Sequence, residues 1–194
     1  MHIRANRDFW KCIVPEGEKG VAKIEKFSVT RDGSALAALR GVYVPLGDYT
    51  RLLINGGLVM SDTPKEYSDH ADFFRMAKGD VLIHGLGLGC ALNVVANKPQ
   101  VESITVVEIE QDVIDLVAPH FQHKNIEIIH ADAMTWTPPK GKRYHAVWHD
   151  IWPNICTDNL KEMGTLHRRY GRRCDWQGSW SKEECLYHRR RGSA

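Results

Sequence analysis

The pattern of apolar and polar positions divides the chain into an alternating, β-like beginning and a strand–helix–strand middle. Residues 21–30 alternate, with Val21, Phe27 and Val29 on one face, which predicts a half-buried strand. Asp32-Gly33 then marks a turn, and Ser34 is placed to cap a short helical stretch over 35–39 that Gly41 ends. Two apolar runs within 50–61 flank Asn55-Gly56. Both of these residues tolerate positive φ, so the pair predicts a hairpin. Pro64 opens a helix that runs through Glu66, Tyr67, His70, Phe73, Phe74 and Ala77 and stops at Gly79.

Short apolar strands follow at 81–84, 104–109, 126–130 and 144–148, with helices predicted at 90–97 and 112–121. Strands alternating with helices point to a parallel sheet with right-handed crossovers. Beyond Asp150, residues 158–173 read as an amphipathic helix with Leu160, Met163, Leu166 and Tyr170 on one side, and 181–191 read as another. No fifth strand is expected there. The sheet therefore reads as short, its open edge covered by the N-terminal hairpin or by a second subunit in a homodimer.

Length and composition narrow the class. The 194 residues suit one domain, read as an N-terminal β region over 1–62 and an α/β unit over 63–194. A hydrophobic share of 43% with 26% charged residues is a globular mix. The net charge is +2, unevenly placed: +4 over residues 151–194 and −2 before them. No apolar run reaches the roughly 18–20 residues that span a bilayer, and the N-terminus has no apolar leader core, so a cytoplasmic protein with no membrane partner is expected. The five cysteines are scattered without a CxxC pair and the ten histidines form no HExxH, which argues against a disulfide framework and a metal site. The arginines at 168, 169, 172, 173 and 189–191 make nucleic acid a minor expectation. Trp148, Trp176 and Trp180 read as core.

The chemistry is concentrated where strands end. Gly85-Leu86-Gly87-Leu88-Gly89 links the first parallel strand to its helix. Such glycines permit a sharp turn and close approach of a ligand to the backbone. Three acids, Glu108, Asp132 and Asp150, fall at the ends of three later strands, where open α/β sheets bind their ligands. A carboxylate placed like Glu108 can accept ribose hydroxyls.

With these motifs in place, residues 81–150 resemble class I S-adenosylmethionine-dependent methyltransferases, and most closely their spermidine-synthase-like branch. The stretches that carry the resemblance are 84–89, 106–110, 130–133 and 144–150, and Leu53–Gly56 through Glu66–His70 is similar to the hairpin-plus-helix element preceding the nucleotide fold of aminopropyltransferases. The resemblance implies a three-layer Rossmann-like α/β sandwich behind a small N-terminal β-hairpin region; with only 44 residues after Asp150, the chain departs from the family's full sheet and reads as C-terminally truncated. It implies S-adenosylmethionine as cofactor. Gly85, Leu86, Gly87 and Gly89 would cradle its methionine end. Glu108 would hold the ribose with Ile109 against the adenine, and Asp132 and Ala133 would meet the adenine edge. Asp150 would sit beside the sulfonium and the acceptor.

Tyr67 and His70 are candidate acceptor-site residues, and Trp152 a candidate aromatic wall. Asp150-Ile151-Trp152-Pro153-Asn154 carries no second acid, whereas a polyamine needs paired carboxylates. The expected activity is therefore methyl transfer to a small nucleophilic acceptor, ahead of aminopropyl transfer and of a non-catalytic cofactor-binding role.

Overall fold

The computed structural model describes residues 10–31, 33, 44–122 and 125–192. The short helix expected over 35–39 with its Ser34 cap lies outside them. Two sheets organise the rest. The first is antiparallel, in the order β1 (Gly17–Lys19), β2 (Ala22–Val29), β3 (Gly47–Ile54) and β4 (Gly57–Ser61). Asn55 and Gly56, at φ 50° and 76°, form the two-residue turn joining β3 to β4, as their identities predict. The face of β2 differs from expectation. Ala22 and Ile24 are buried while Val21 is exposed, because Ile24 lies opposite Leu52 in the core; Phe27 instead packs on Tyr49 at the sheet's outer end.

The second sheet is parallel and has five strands: β5 (Gly79–His84), β6 (Val101–Glu108), β7 (Ile126–His130), β8 (Tyr144–His149) and β9 (Cys174–Ser179), in the spatial order β7-β6-β5-β8-β9. The helices are α1 (Pro64–Asp69), α2 (Ala71–Met76), α3 (Cys90–Ala96), α4 (Gln111–Val117), α5 (Asn159–Tyr170) and α6 (Lys182–Arg190). The chain builds from β5 outward through α3 to β6 and through α4 to β7. It then returns to the other side of β5 for β8 and, through α5, β9. Strand order thus reverses beside β5. In such sheets the crevice for ligands opens at that point, outside the strands' carboxyl ends.

β9 corrects the expectation that no fifth strand follows Asp150. Its sequence, Cys-Asp-Trp-Gln-Gly-Ser, has no apolar alternation. It is held instead by pairing with β8 from Tyr144↔Cys174 to His149↔Ser179 and by Trp176 stacked on Trp148, rings 4° from parallel. A Cβ on Gly178 would fall 2.7–2.8 Å from both indoles, so glycine is what lets them stack.

The helix expected from Pro64 to Gly79 is broken at His70. The His70 Nδ1–H donates to the Glu66 carbonyl at 2.7 Å, the acceptor that a continuous helix would give to the His70 backbone N–H. That N–H turns to Tyr67 O instead. Two carboxylates anchor the first sheet, buried Asp62 to the segment before it and half-buried Asp112 to the second layer. Asp62 takes the N–H groups of Thr50 and Cys12, and Asp112 in α4 takes that of Val21.

Candidate functional site

A cavity of about 570 Å³ opens at the carboxyl ends of β5, β6, β7 and β8, with the β3–β4 hairpin as its outer wall. The glycine loop forms its floor. Gly85 has φ 93°, and a Cβ there would lie 2.0 Å from the Asp150 carbonyl oxygen. Gly87 has φ 51°, and a Cβ there would lie 2.2 Å from Met60 Sδ, which also faces the Leu88 N–H at 3.1 Å. The two glycines are thus required by protein backbone and side chain pressing on the turn.

Glu108 braces this loop. One carboxylate oxygen accepts the Leu86 N–H at 2.7 Å, and the other accepts those of Ile109 and Glu110 at 2.8 and 2.9 Å. A carboxylate offers about four lone-pair sites. Three are filled by the chain, so one remains for a ligand hydroxyl. Ile109 stands beside it on the wall, 58% exposed with its apolar face uncovered. Across the cavity, Asp132 accepts the Met134 N–H at 2.7 Å on Oδ1 and has no protein partner for Oδ2 among the described residues. The turn that presents Asp132 and Ala133 is clamped by Arg169 of α5, whose guanidinium donates to the carbonyls of Ala133, Met134 and Trp136 at 3.1, 2.5 and 3.3 Å.

A polar cluster occupies the end of the cavity beside β8. His70, 1% exposed, donates from Nε2 to Asp150 Oδ2 at 2.9 Å while Nδ1 donates to Glu66 O. Both partners are acceptors, so both ring nitrogens carry protons and the ring is an imidazolium. Burial works against that charge, but the bond to Asp150, its negative charge and the Glu66 carbonyl outweigh it and raise the His70 pKa. Trp10, Phe74 and Trp148 surround the ring at 5.0–5.8 Å, and aromatic faces favour a cation. Glu66 stands on the same wall. Its Oε1 accepts the Ser61 N–H at 3.0 Å. Burial pushes its carboxyl up to about 7; the Ser61 N–H and His70 pull the other way, and the Asp150 charge adds to the rise.

The cavity wall therefore brings together Gly85, Leu86, Gly87, Glu108, Ile109, Asp132, Ala133, Asp150, Trp152 and His70. Two expected site residues are absent from it. Tyr67 turns away to pack against Trp10 and Phe74, at 5.8 and 5.4 Å between ring centres. Gly89 lies behind the loop, where its missing Cβ makes room for Phe121. Trp152 forms part of the wall and donates from its indole N–H to Glu162 at 2.8 Å. Trp180, expected in the core, also reaches the wall. The sequence reading missed Glu66 and Met60. The spacing of Glu66, four residues before His70 on one helical face, was an available signal for the first; nothing local distinguishes Met60. The expectation of a single acid here is corrected, since Glu66 supplies a second carboxylate beside Asp150.

No family model and no curated protein matches the chain. Among solved structures, it is similar to the spermidine synthase of Thermotoga maritima at 16% identity and TM-score 0.47, over 80% of this chain and 52% of that one. It is similar to the 23S rRNA methyltransferase ErmE at 20% identity and TM-score 0.46, over 60% and 45%. The N-methyltransferase NodS from Bradyrhizobium japonicum WM9, in complex with S-adenosyl-L-homocysteine, shares 14% identity at TM-score 0.46, with 57% of each chain covered. The chain spans about half the length of these structures.

Proposed function

We propose that this cavity binds S-adenosylmethionine and that the chain is a transferase moving its methyl group to a small nucleophilic acceptor. The observation that carries the reading is the convergence of the glycine loop, Glu108, Asp132 and Asp150 on one wall from the ends of four different strands. The donor set fits the group. Glu108 keeps one acceptor site for a ribose hydroxyl, the free oxygen of Asp132 suits an amino group on adenine, and the uncovered face of Ile109 suits its ring. When bound, S-adenosylmethionine supplies an electrophilic carbon on a positively charged sulfur. The chain's own part is to orient and to manage charge. His70 fixes Asp150, Asp150 and Glu66 offer negative charge, and Trp152 with Trp180 shields that end of the cavity from water.

One observation favours a second reading. The pair Glu66 and Asp150 gives the acceptor end two carboxylates, which suits a cationic amine and hence aminopropyl transfer from the decarboxylated cofactor. Calorimetric titration with S-adenosylmethionine, S-adenosylhomocysteine and NAD tests the proposal. Binding of the first two in the micromolar range, weakened by Glu108→Ala and by Asp132→Ala, is expected. A folded protein that gives no heat with either, or binds NAD instead, refutes it. Preference for the decarboxylated cofactor selects the second reading.

A further inference from the structure

The end of the cavity beside β8 holds two carboxyl groups, Glu66 and Asp150. Four carboxylate oxygens meet there, and two are committed to the protein: Oε1 of Glu66 to the Ser61 N–H and Oδ2 of Asp150 to His70. The other two, Oε2 of Glu66 and Oδ1 of Asp150, have no protein partner among the described residues. The two acids are not equivalent. Asp150 is bonded directly to an imidazolium at 2.9 Å, whereas the Glu66 carboxylate is hydrogen-bonded only to Ser61, through its N–H and hydroxyl, and feels His70 and Asp150 without a direct bond to either. Resting on the cofactor reading above, we propose that Glu66 is the residue by which the site distinguishes a positively charged sulfonium ligand from its neutral thioether product, losing a proton when the cation enters and regaining one when that charge is gone.

The charge arithmetic supports this. Glu66 is half-buried, and burial raises its carboxyl to about 7, so it exchanges protons near neutral pH in the empty cavity. The charged groups facing it are His70, one turn along its own chain segment, and Asp150 from the end of β8; Ser61 from β4 is neutral. Glu108, Glu110 and Asp132 line the rest of the wall. A cation placed among these groups favours the charged form of Glu66 and drives its proton off. During transfer the acceptor's nucleophilic atom loses a proton and bonds to carbon as the carbon–sulfur bond breaks, its electron pair staying on sulfur. The positive charge is thereby lost, the Glu66 pKa rises again, and Glu66 Oε2 takes the acceptor's proton. Proton uptake and weakened hold on the product then have one cause.

Isothermal titration in buffers of different ionisation enthalpy, phosphate and Tris at about pH 7, reads the protons exchanged on binding. S-adenosylmethionine is expected to release a measurable fraction of a proton per site and S-adenosylhomocysteine none. Glu66→Gln should remove the difference between the buffers while both ligands still bind, which separates Glu66 from the ligand's own amino group. Equal proton release with both ligands, or release that persists in Glu66→Gln, overturns the proposal and leaves the cofactor reading standing. Absence of binding by either ligand overturns both. The wild-type comparison of the two ligands is decisive on its own should the variant fail to fold.

Discussion

Behind the cavity floor, a chain of hydrogen bonds fixes the protonation of two buried histidines, and acid should break it. The Gln177 amide N–H₂ donates to the His167 carbonyl at 2.9 Å, so its oxygen faces His149 Nε2 at 3.3 Å and must accept from it. His149 therefore carries its proton on Nε2, and its Nδ1 accepts from the Nδ1–H of His84 at 2.9 Å. The remaining nitrogen of His84, Nε2, accepts from the Tyr170 hydroxyl at 3.2 Å. Every bond is made only if both rings are neutral. Burial lowers both pKa values. The neighbouring ring and Arg169 lower that of His84 further, and His149 falls to about 3 despite its bond to Gln177.

The direction in pH follows from these shifts. The unfolded chain takes up protons on His149 below about 6.5 while the folded protein does so only near 3, so stability is full above 6.5 and falls as pH drops between those values. At about pH 4.5, two units into that window, the loss from His149 alone is about 3 kcal/mol, with His84 adding in the same sense. His70 works oppositely. Its raised pKa contributes stability that is full below 6.5 and lost as pH rises through the folded value. Urea unfolding at about pH 7.5 and 4.5, with wild type and His149→Gln side by side, isolates the pair. The variant should be less stable at pH 7.5 and should lose about 3 kcal/mol less than wild type on acidification. Equal losses would refute the argument, as would nitrogen NMR showing the proton of His149 on Nδ1.

Other expectations are sharper in outcome. Gly85→Ala should cost more than about 3 kcal/mol or prevent folding, read as a lost thermal transition, because its Cβ meets the Asp150 carbonyl at 2.0 Å with φ at 93°. Glu108→Ala strands three N–H groups around the glycine loop and should lower stability by roughly 1–3 kcal/mol while weakening S-adenosylmethionine binding; an unchanged melting temperature would show that the brace is idle. Arg169→Met leaves three carbonyls of the 133–136 turn unpaired and should cost about 2–4 kcal/mol, with faster amide exchange at Met134–Trp136 as the local readout.

The parallel strands β5 to β8 were legible because each is a short, largely apolar run with glycine or an acid at its end or within two residues after it, a local signal. β9 was not. Its stability comes from register with β8 and from Trp176 lying flat on Trp148, neither of which leaves an apolar period in its own six residues. The break at His70 was hidden for a related reason. Nothing in the local pattern from Pro64 to Ala77 interrupts a helix, and the interruption is caused by a side chain competing for a backbone carbonyl. The wrong face of β2 shows the limit of alternation itself: both parities of 21–29 carry apolar residues, and Ile24 opposite Leu52 decides between them.

The site was legible in the part built from motifs and obscure in the part built from distant pairs. His70 and Asp150 are 80 positions apart and meet only because β8 returns to lie beside β5, carrying Asp150 onto the helix that precedes β5. The same return explains why the glycine loop and the strand-end acid belong to one feature. Asp150 donates its N–H to His84 O, and its carbonyl then lies where a Cβ of Gly85 would be. A residue larger than glycine at 85 would push the end of β8 away, carrying the Asp150 carboxylate off His70 and leaving an imidazolium buried among Trp10, Phe74 and Trp148 without its counter-charge. The glycine pattern is thus as much a condition for the ion pair as a cradle for a ligand, and substitution at either end of this contact should disturb both.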